Sequence, residues 1–214
     1  MDEEITIINA NTRNEKFRNF IINNKKNFFI IISIILILLI GYLSFEEVKK
    51  RNKIKIADQF NTVMINYKVE KKDKIIIDLI TIVNKQDATY SPLALYFLID
   101  NDLIEKKNEI NKLFDVLINE IKLEKEIKNL IIYKKALYNS GHVNENELIK
   151  ILNPLINSKS IWKSHALYLL AEYFYSKNEK EKAKEFFNQV LILQNINSDI
   201  KLETQKRLNR DLSE

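Results

Sequence analysis

The sequence predicts an all-α protein in which one N-terminal transmembrane helix precedes an α-solenoid of about four helical hairpins. Three observations predict this class. Residues 27–45 contain no charged side chain, apolar residues elsewhere recur at helical spacing, and the 214 residues include only two Gly and two Pro. Sandwiches, barrels and Gly-rich phosphate loops require turn residues more often, so the composition argues against them.

The N-terminal segment, residues 1–26, is expected to be cytoplasmic. Five Lys and Arg precede the uncharged run within fifteen residues and five follow it, so the positive-inside rule gives a tie. The immediate flanks differ, because Lys25 and Lys26 stand before the run whereas Glu46 and Glu47 stand after it. Apolar residues among the charges permit either an amphipathic surface helix or an unstructured tail. These residues are Ile5, Ile8, Phe17, Phe20 and Ile21.

The uncharged run at residues 27–45 predicts a single-pass anchor in the lipid bilayer. Its nineteen residues would span roughly 28 Å as a helix, close to the hydrocarbon thickness of about 30 Å. A buried helix of a soluble protein would show polar residues every third or fourth position. A cleaved signal would have a shorter apolar region ending in small residues, whereas this run ends in GYLSFEEVKK. We therefore expect an uncleaved transmembrane helix.

Residues 46–214 are predicted to form paired helices. The periodicity is clearest in one helix face formed by Ile110, Leu113, Phe114, Leu117, Ile118 and Ile121. Hairpins are expected at 54–83, 91–121 and 129–156, the last with Gly141 in its turn. A single hairpin exposes an apolar face that only a neighbour can cover, so the hairpins should stack.

The segment 162–195, WKSHALYLLAEYFYSKNEKEKAKEFFNQVLILQN, resembles a tetratricopeptide repeat. Small side chains at Ala171 and Ala183 would let two helices approach closely. Asn178 stands at the turn, where Asn can adopt positive φ. The repeat-defining core residues that we expect are Leu167, Leu170, Ala171, Phe174, Ala183, Phe187 and Val190.

Aromatic side chains of the same segment form a possible peptide groove. Tyr168 and Tyr175 lie seven residues apart, on one helix face, and Trp162 precedes them. The alternative is that these side chains cover the core of the last repeat. Of the two histidines, we expect His142 to be exposed beside the Gly141 turn. His165 lies on a helix beside Trp162 and Tyr168, where it is expected either to pack against them or to line the groove.

Composition excludes several functions. The chain has no Cys, which excludes disulfides, thiolate metal sites and cysteine nucleophiles. Its 34 Lys and Arg and 29 Asp and Glu are interspersed, so we expect no nucleic-acid partner. No G-x-S-x-G, Walker A or H-E-x-x-H pattern occurs, and we expect no enzymatic activity, cofactor or metal site.

The order of parts resembles the ancillary SecYEG translocon subunit (YfgM-like) family of Gram-negative bacteria. The residues that carry the resemblance are DEE near the start, the anchor, KKRNKIKIADQF after it, ADQFNTVM at Ala57–Met64, and the last repeat. The resemblance implies a cytoplasmic N-terminus, an inner-membrane anchor and a periplasmic repeat domain. It also implies association with the SecYEG translocon and with periplasmic folding factors.

Two functions are therefore expected from the sequence. The first is a membrane-anchored protein-interaction module that links secreted chains to periplasmic chaperones at the translocon. The alternative is a repeat scaffold for cell-envelope or division machinery, which would use the same helices to form a homo-oligomer.

Overall fold

A computed structural model describes residues 15–16, 18–68, 71–194 and 196–212. These residues contain no β-strand. The main helices are α1 (Lys25–Asn66), α2 (Lys72–Asn84), α3 (Tyr90–Asp100), α4 (Lys107–Asn119), α5 (Lys125–Asn139), α6 (Glu145–Ile156), α7 (Lys163–Ser176), α8 (Lys180–Leu191) and α9 (Ser198–Asp211). The prediction of an all-helical protein with one long apolar helix near the N-terminus is confirmed.

The chain divides into two compact units, one up to Lys55 and one from Ile56 onward. The sequence predicts that the transmembrane segment ends at residue 45, where charge returns, and α1 runs without interruption through this point to Asn66. Charged residues are good helix formers, and no Gly or Pro stands between residues 46 and 66. Arg51 Nε also donates to Glu47 Oε1 at 2.8 Å, one turn earlier in the same helix.

In the first unit, the apolar side chains of α1 are exposed. Phe29, Ile37 and Leu38 each expose about two thirds of their surface, and the most apolar window of the helix has no buried residue. The mean hydropathy of that window is 2.9. Helix α1 is therefore long and apolar enough to span a membrane. Of the apolar residues noted in the N-terminal segment, Ile5, Ile8 and Phe17 lie outside the described residues.

In the second unit, each helix from α2 to α9 packs against the next one in the chain. Three further contacts join every second helix, α2 with α4, α5 with α7, and α7 with α9. The core comprises two clusters, one centred on Leu95 and Phe114 and the other on Leu170 and Phe174. Each cluster thus combines the apolar faces of several consecutive helices.

The last turns of α1 belong to the first of these clusters. Phe60 lies 5.8 Å from Tyr90 and Tyr67 lies 4.9 Å from Phe97, measured between ring centroids. Lys85 Nζ, just after α2, donates to Gln59 Oε1. These contacts attach the end of α1 to α2 and α3.

Helix α9 was not predicted, because its apolar residues are too sparse to show a period. Its start does carry a local signal, since Asn197 Oδ1 accepts from the backbone N–H groups of Asp199 and Ile200 at 2.9 and 3.1 Å. Thr204 and Leu212 are buried, whereas Leu202 is exposed. Helix α9 covers the end of the α7–α8 pair, and few of its own apolar side chains take part in the contact.

The turn after α7 has the geometry predicted for Asn178. Its φ is 61°. The N–H of Glu179 donates to the carbonyl of Phe174 at 2.9 Å, and the N–H of Asn178 donates to that of Tyr175 at 3.0 Å. This pair of bonds is a Schellman motif, in which the residue of positive φ is usually Gly. Asp102, with φ 47°, ends α3 in the same way.

We expect Asn178→Ala to lower the free energy of unfolding by about 1 kcal/mol, because Ala lacks the polar side chain that eases the left-handed conformation. Asn178→Gly should be neutral or slightly stabilising. Gly141→Ala is the matched control, since Gly141 has no positive φ and an added Cβ would meet no atom within 4 Å. Thermal unfolding of the intact chain in detergent measures all three. Equal losses of unfolding free energy for Asn178→Ala and Gly141→Ala would contradict the left-handed conformation assigned to Asn178.

Candidate functional site

The seven residues expected to define the repeat core are all buried between α7, α8 and their neighbours. Ala171 and Ala183 expose no surface, and neither do Leu170, Phe187 and Val190. The helices α7 and α8 make the most extensive helix–helix contact in the second unit. These residues pack the fold and are inaccessible to a partner, so the candidate sites lie on the outward-facing side chains beside them.

Tyr168 and Tyr175 lie on the side of α7 that faces α9. Tyr168 contacts Phe187 with ring centroids 5.6 Å apart, and the guanidinium carbon of Arg207 lies 4.9 Å from the ring centre of Tyr175. Burial and the neighbouring Glu172 carboxylate raise the pKa of the Tyr168 hydroxyl to about 12. Helix α9 thus packs over both tyrosines.

An ion-pair network fixes α9 in that position. Arg207 donates from Nε and Nη2 to the two carboxylate oxygens of Glu172 at 2.7 and 2.8 Å, and from Nη1 to Asp211 at 2.9 Å. About a quarter of the Arg207 and Glu172 side-chain surface is exposed. Arg210 and Arg207 together hold the pKa of Asp211 well below its usual range. The forked geometry makes this the strongest polar link between α7 and α9.

We expect Arg207→Ala to increase hydrogen exchange of the α9 backbone about five- to tenfold, which corresponds to about 1 kcal/mol of lost docking energy. Lys206→Ala is the matched control, because Lys206 pairs with Glu203 of the same helix at an exposed position. Hydrogen exchange followed by mass spectrometry on the intact chain would show the difference. Unchanged α9 protection in the Arg207 variant would contradict this role.

Trp162 lies apart from the two tyrosines. It stacks on Tyr133 of α5 with centroids 5.7 Å apart and an interplanar angle of 24°. His165 contacts both rings, at 5.0 Å from Trp162 and 5.6 Å from Tyr133, and its burial lowers the pKa of the imidazole. The three residues predicted for a peptide groove are therefore divided between the α5–α7 and α7–α9 contacts. Peptide binding by them stays a prediction.

A polar groove between α4, α5 and α6 was missed by the sequence analysis. It has a volume of about 530 Å³ and is lined by Lys107, Asn108, Asn111, Lys135, Asn139, His142, Val143, Glu147, Lys150 and Ile151. Asn111 and Asn139 exchange two amide hydrogen bonds, at 2.9 and 2.8 Å, and Asn139 is almost fully buried. The sequence gives no signal for this pair, because its members are 28 residues apart.

The groove is basic and open, which suits a polar partner better than a small molecule. Lys135 is neutralised by Asp115 at 2.6 Å, but Lys107 and Lys150 are exposed. His142 is also exposed. Among the residues that the structure describes, no group of three His, Cys, Asp or Glu side chains is arranged to hold a metal ion.

Comparisons of the chain with protein families, with curated proteins and with solved structures find no match.

Proposed function

We propose that this chain is a membrane-anchored protein-interaction module without enzymatic activity. The proposal is supported by the combination of two structural parts in one chain. One part is an exposed apolar helix long enough to cross a bilayer, and the other is a unit of consecutively packed helices. An exposed apolar helix of this length is stable in lipid and costly in water.

We interpret α2–α8, with the end of α1, as a solenoid of tetratricopeptide-like hairpins that α9 covers at one end. Contacts between every second helix support this interpretation, because stacked hairpins produce them. The small residues Ala171 and Ala183 at the α7–α8 contact and the positive φ of Asn178 also support it. Such arrays present long helical surfaces to other proteins, which is why an interaction function is favoured.

The proposed location is the inner membrane of a Gram-negative bacterium, with the N-terminus in the cytoplasm and the helical unit in the periplasm. This follows from the resemblance to the ancillary SecYEG translocon subunit family and from the Lys25–Lys26 flank. The proposed partners are the SecYEG translocon and periplasmic folding factors. Anchoring would raise the concentration of the helical unit beside the channel and so favour weak contacts with emerging chains.

Protease protection tests the orientation. In spheroplasts, added protease should degrade residues beyond the anchor while the N-terminal segment stays protected. Protection of the helical unit until the membrane is permeabilised would contradict the proposed orientation.

Photo-crosslinking in intact membranes tests the partners. A photoreactive residue at Lys150 in the polar groove, and another at the exposed Ile161, should capture translocon subunits or folding factors. A chain with the crosslinker at Lys201 of α9, far along the sequence from both sites, serves as the comparison. Recovery of no translocon subunit and no folding factor from either position would contradict the proposed association.

The scaffold alternative is favoured by exposed apolar side chains in the helical unit. Ile77, Leu137, Ile161 and Ile192 each expose at least half of their surface. Such residues are candidates for contacts between copies of the chain. Sedimentation of the intact chain in detergent separates the two functions. A stable homo-oligomer would favour the scaffold, and a monomer that captures unfolded polypeptides would favour the interaction module.

A further inference from the structure

A run of cations follows the apolar part of α1. Residues 49–55, KKRNKIK, contain five Lys and Arg and no Asp or Glu. We refer to this stretch as the basic segment. It lies within α1, so its backbone is helical and continuous with the uncharged run at residues 27–45.

The cations of the basic segment are exposed. Only Arg51 has an ion pair among the residues that the structure describes, with Glu47 at 2.8 Å. Lys49, Lys50, Lys53 and Lys55 have no carboxylate partner in that part of the chain. Their charge is therefore available to an outside anion.

The basic segment begins in the headgroup layer of a bilayer and extends beyond it into the adjoining water. Lys49 follows Phe45 by four residues and Lys55 by ten, which places their backbone about 6 and 15 Å beyond the end of the uncharged run. The headgroup layer extends roughly 5–7 Å beyond the hydrocarbon on each side. Charges remain effective over about 8–10 Å more at physiological salt, and long Lys side chains can bend toward the interface.

In several segments of the second unit, lysines alternate with glutamates. In α8, for example, Lys182 pairs with both Glu145 and Glu179, at 2.9 and 2.8 Å. Carboxylates that alternate with lysines there cancel the field within a few ångströms. The basic segment is unusual in having five cations without an acidic residue between them.

We propose that the basic segment binds the anionic headgroups of phospholipids in the leaflet on the C-terminal side of the span. This inference rests on the proposed anchoring of α1. Clustered Lys and Arg next to a span attract anionic lipid, because each cation near the surface gains electrostatic energy that falls off within a Debye length. The segment would thus recruit phosphatidylglycerol-like lipid around the anchor in preference to zwitterionic lipid.

A local quenching measurement tests this directly. Because the chain has no Cys, Asn52→Cys provides a single site for a fluorophore within the basic segment. The labelled full chain is reconstituted into phosphatidylcholine vesicles with a minor fraction of phosphatidylglycerol. Quenching by headgroup spin-labelled phosphatidylglycerol is then compared with quenching by headgroup spin-labelled phosphatidylcholine. Contact quenching reports only the leaflet beside the label.

Two charge variants are compared, each made in the chain that carries the label at Asn52→Cys. The test variant replaces all five cations of the basic segment with Gln, at Lys49, Lys50, Arg51, Lys53 and Lys55. The control replaces five exposed lysines of the second unit with Gln, at Lys112, Lys122, Lys125, Lys159 and Lys201. Both variants lose the same total charge, so a difference between them reports position rather than net charge.

The anionic lipid should quench several-fold more strongly than the zwitterionic lipid in the parent chain and in the control. This preference should fall about fivefold or more in the test variant, and it should also weaken at high salt. Equal preferences in the test variant and the control, in chains that insert, would overturn the lipid inference alone. Failure of the parent chain to insert into vesicles would overturn the anchoring and the inference together.

Discussion

Phe187→Ala should lower the free energy of unfolding of the helical unit by about 3–5 kcal/mol. The Phe187 side chain exposes no surface and contacts Tyr168, with the two ring centroids 5.6 Å apart. Its removal leaves a cavity between α7 and α8, where Ala171 and Ala183 are too small to fill the space. Urea unfolding of the intact chain in detergent, followed by circular dichroism, measures the loss.

Ile192→Ala is the matched control for Phe187. It removes an apolar side chain at the end of the same helix pair, but four fifths of the Ile192 surface is exposed. The control should change the free energy of unfolding by no more than about 0.5 kcal/mol. Similar losses for the two variants would show that Phe187 does not occupy the core position assigned to it.

Leu36→Arg should lower the equilibrium constant for membrane insertion about 100-fold, since the change costs about 3 kcal/mol at the centre of a span. Leu36 lies in the middle of the uncharged run, and more than half of its side-chain surface is exposed on the outside of α1. Its replacement puts a permanent charge at the depth where the bilayer is least polar. The ratio of inserted to uninserted chains after translation into membranes is the quantity to measure.

Ile54→Arg provides the comparison for Leu36→Arg. Ile54 is equally apolar and half exposed, but it lies among the cations of the basic segment, outside the uncharged run. A new charge there should leave insertion unchanged. Equal insertion of the two variants would mean that residues 27–45 do not enter the hydrocarbon.

Parts of the fold were predictable because their signals are local. The uncharged run at 27–45 predicted the long apolar helix, because nineteen consecutive residues without a charge are typical of a helix surrounded by lipid. The spacing of large, small and aromatic residues predicted α7 and α8. The left-handed turn at Asn178 followed from the tolerance of Asn for positive φ.

The remaining features depend on contacts between distant residues. Helix α9 is held by Arg207 and Glu172, which are 35 residues apart, and its own sequence has little apolar periodicity. The polar groove depends on the Asn111–Asn139 pair, and the position of Trp162 depends on Tyr133 of a different helix. Helix crossing angles determine which of these side chains meet, and a local pattern does not encode those angles.

We propose that α1 anchors a folded helical unit in a lipid bilayer. The most direct test is to express the full chain, isolate the membranes, extract them with alkaline carbonate and float them on a density gradient. We predict that the full chain stays with the floating lipid and leaves it only when detergent is added. Recovery of the full chain as a folded protein in the carbonate-soluble fraction, without detergent, would show that α1 does not anchor it in lipid.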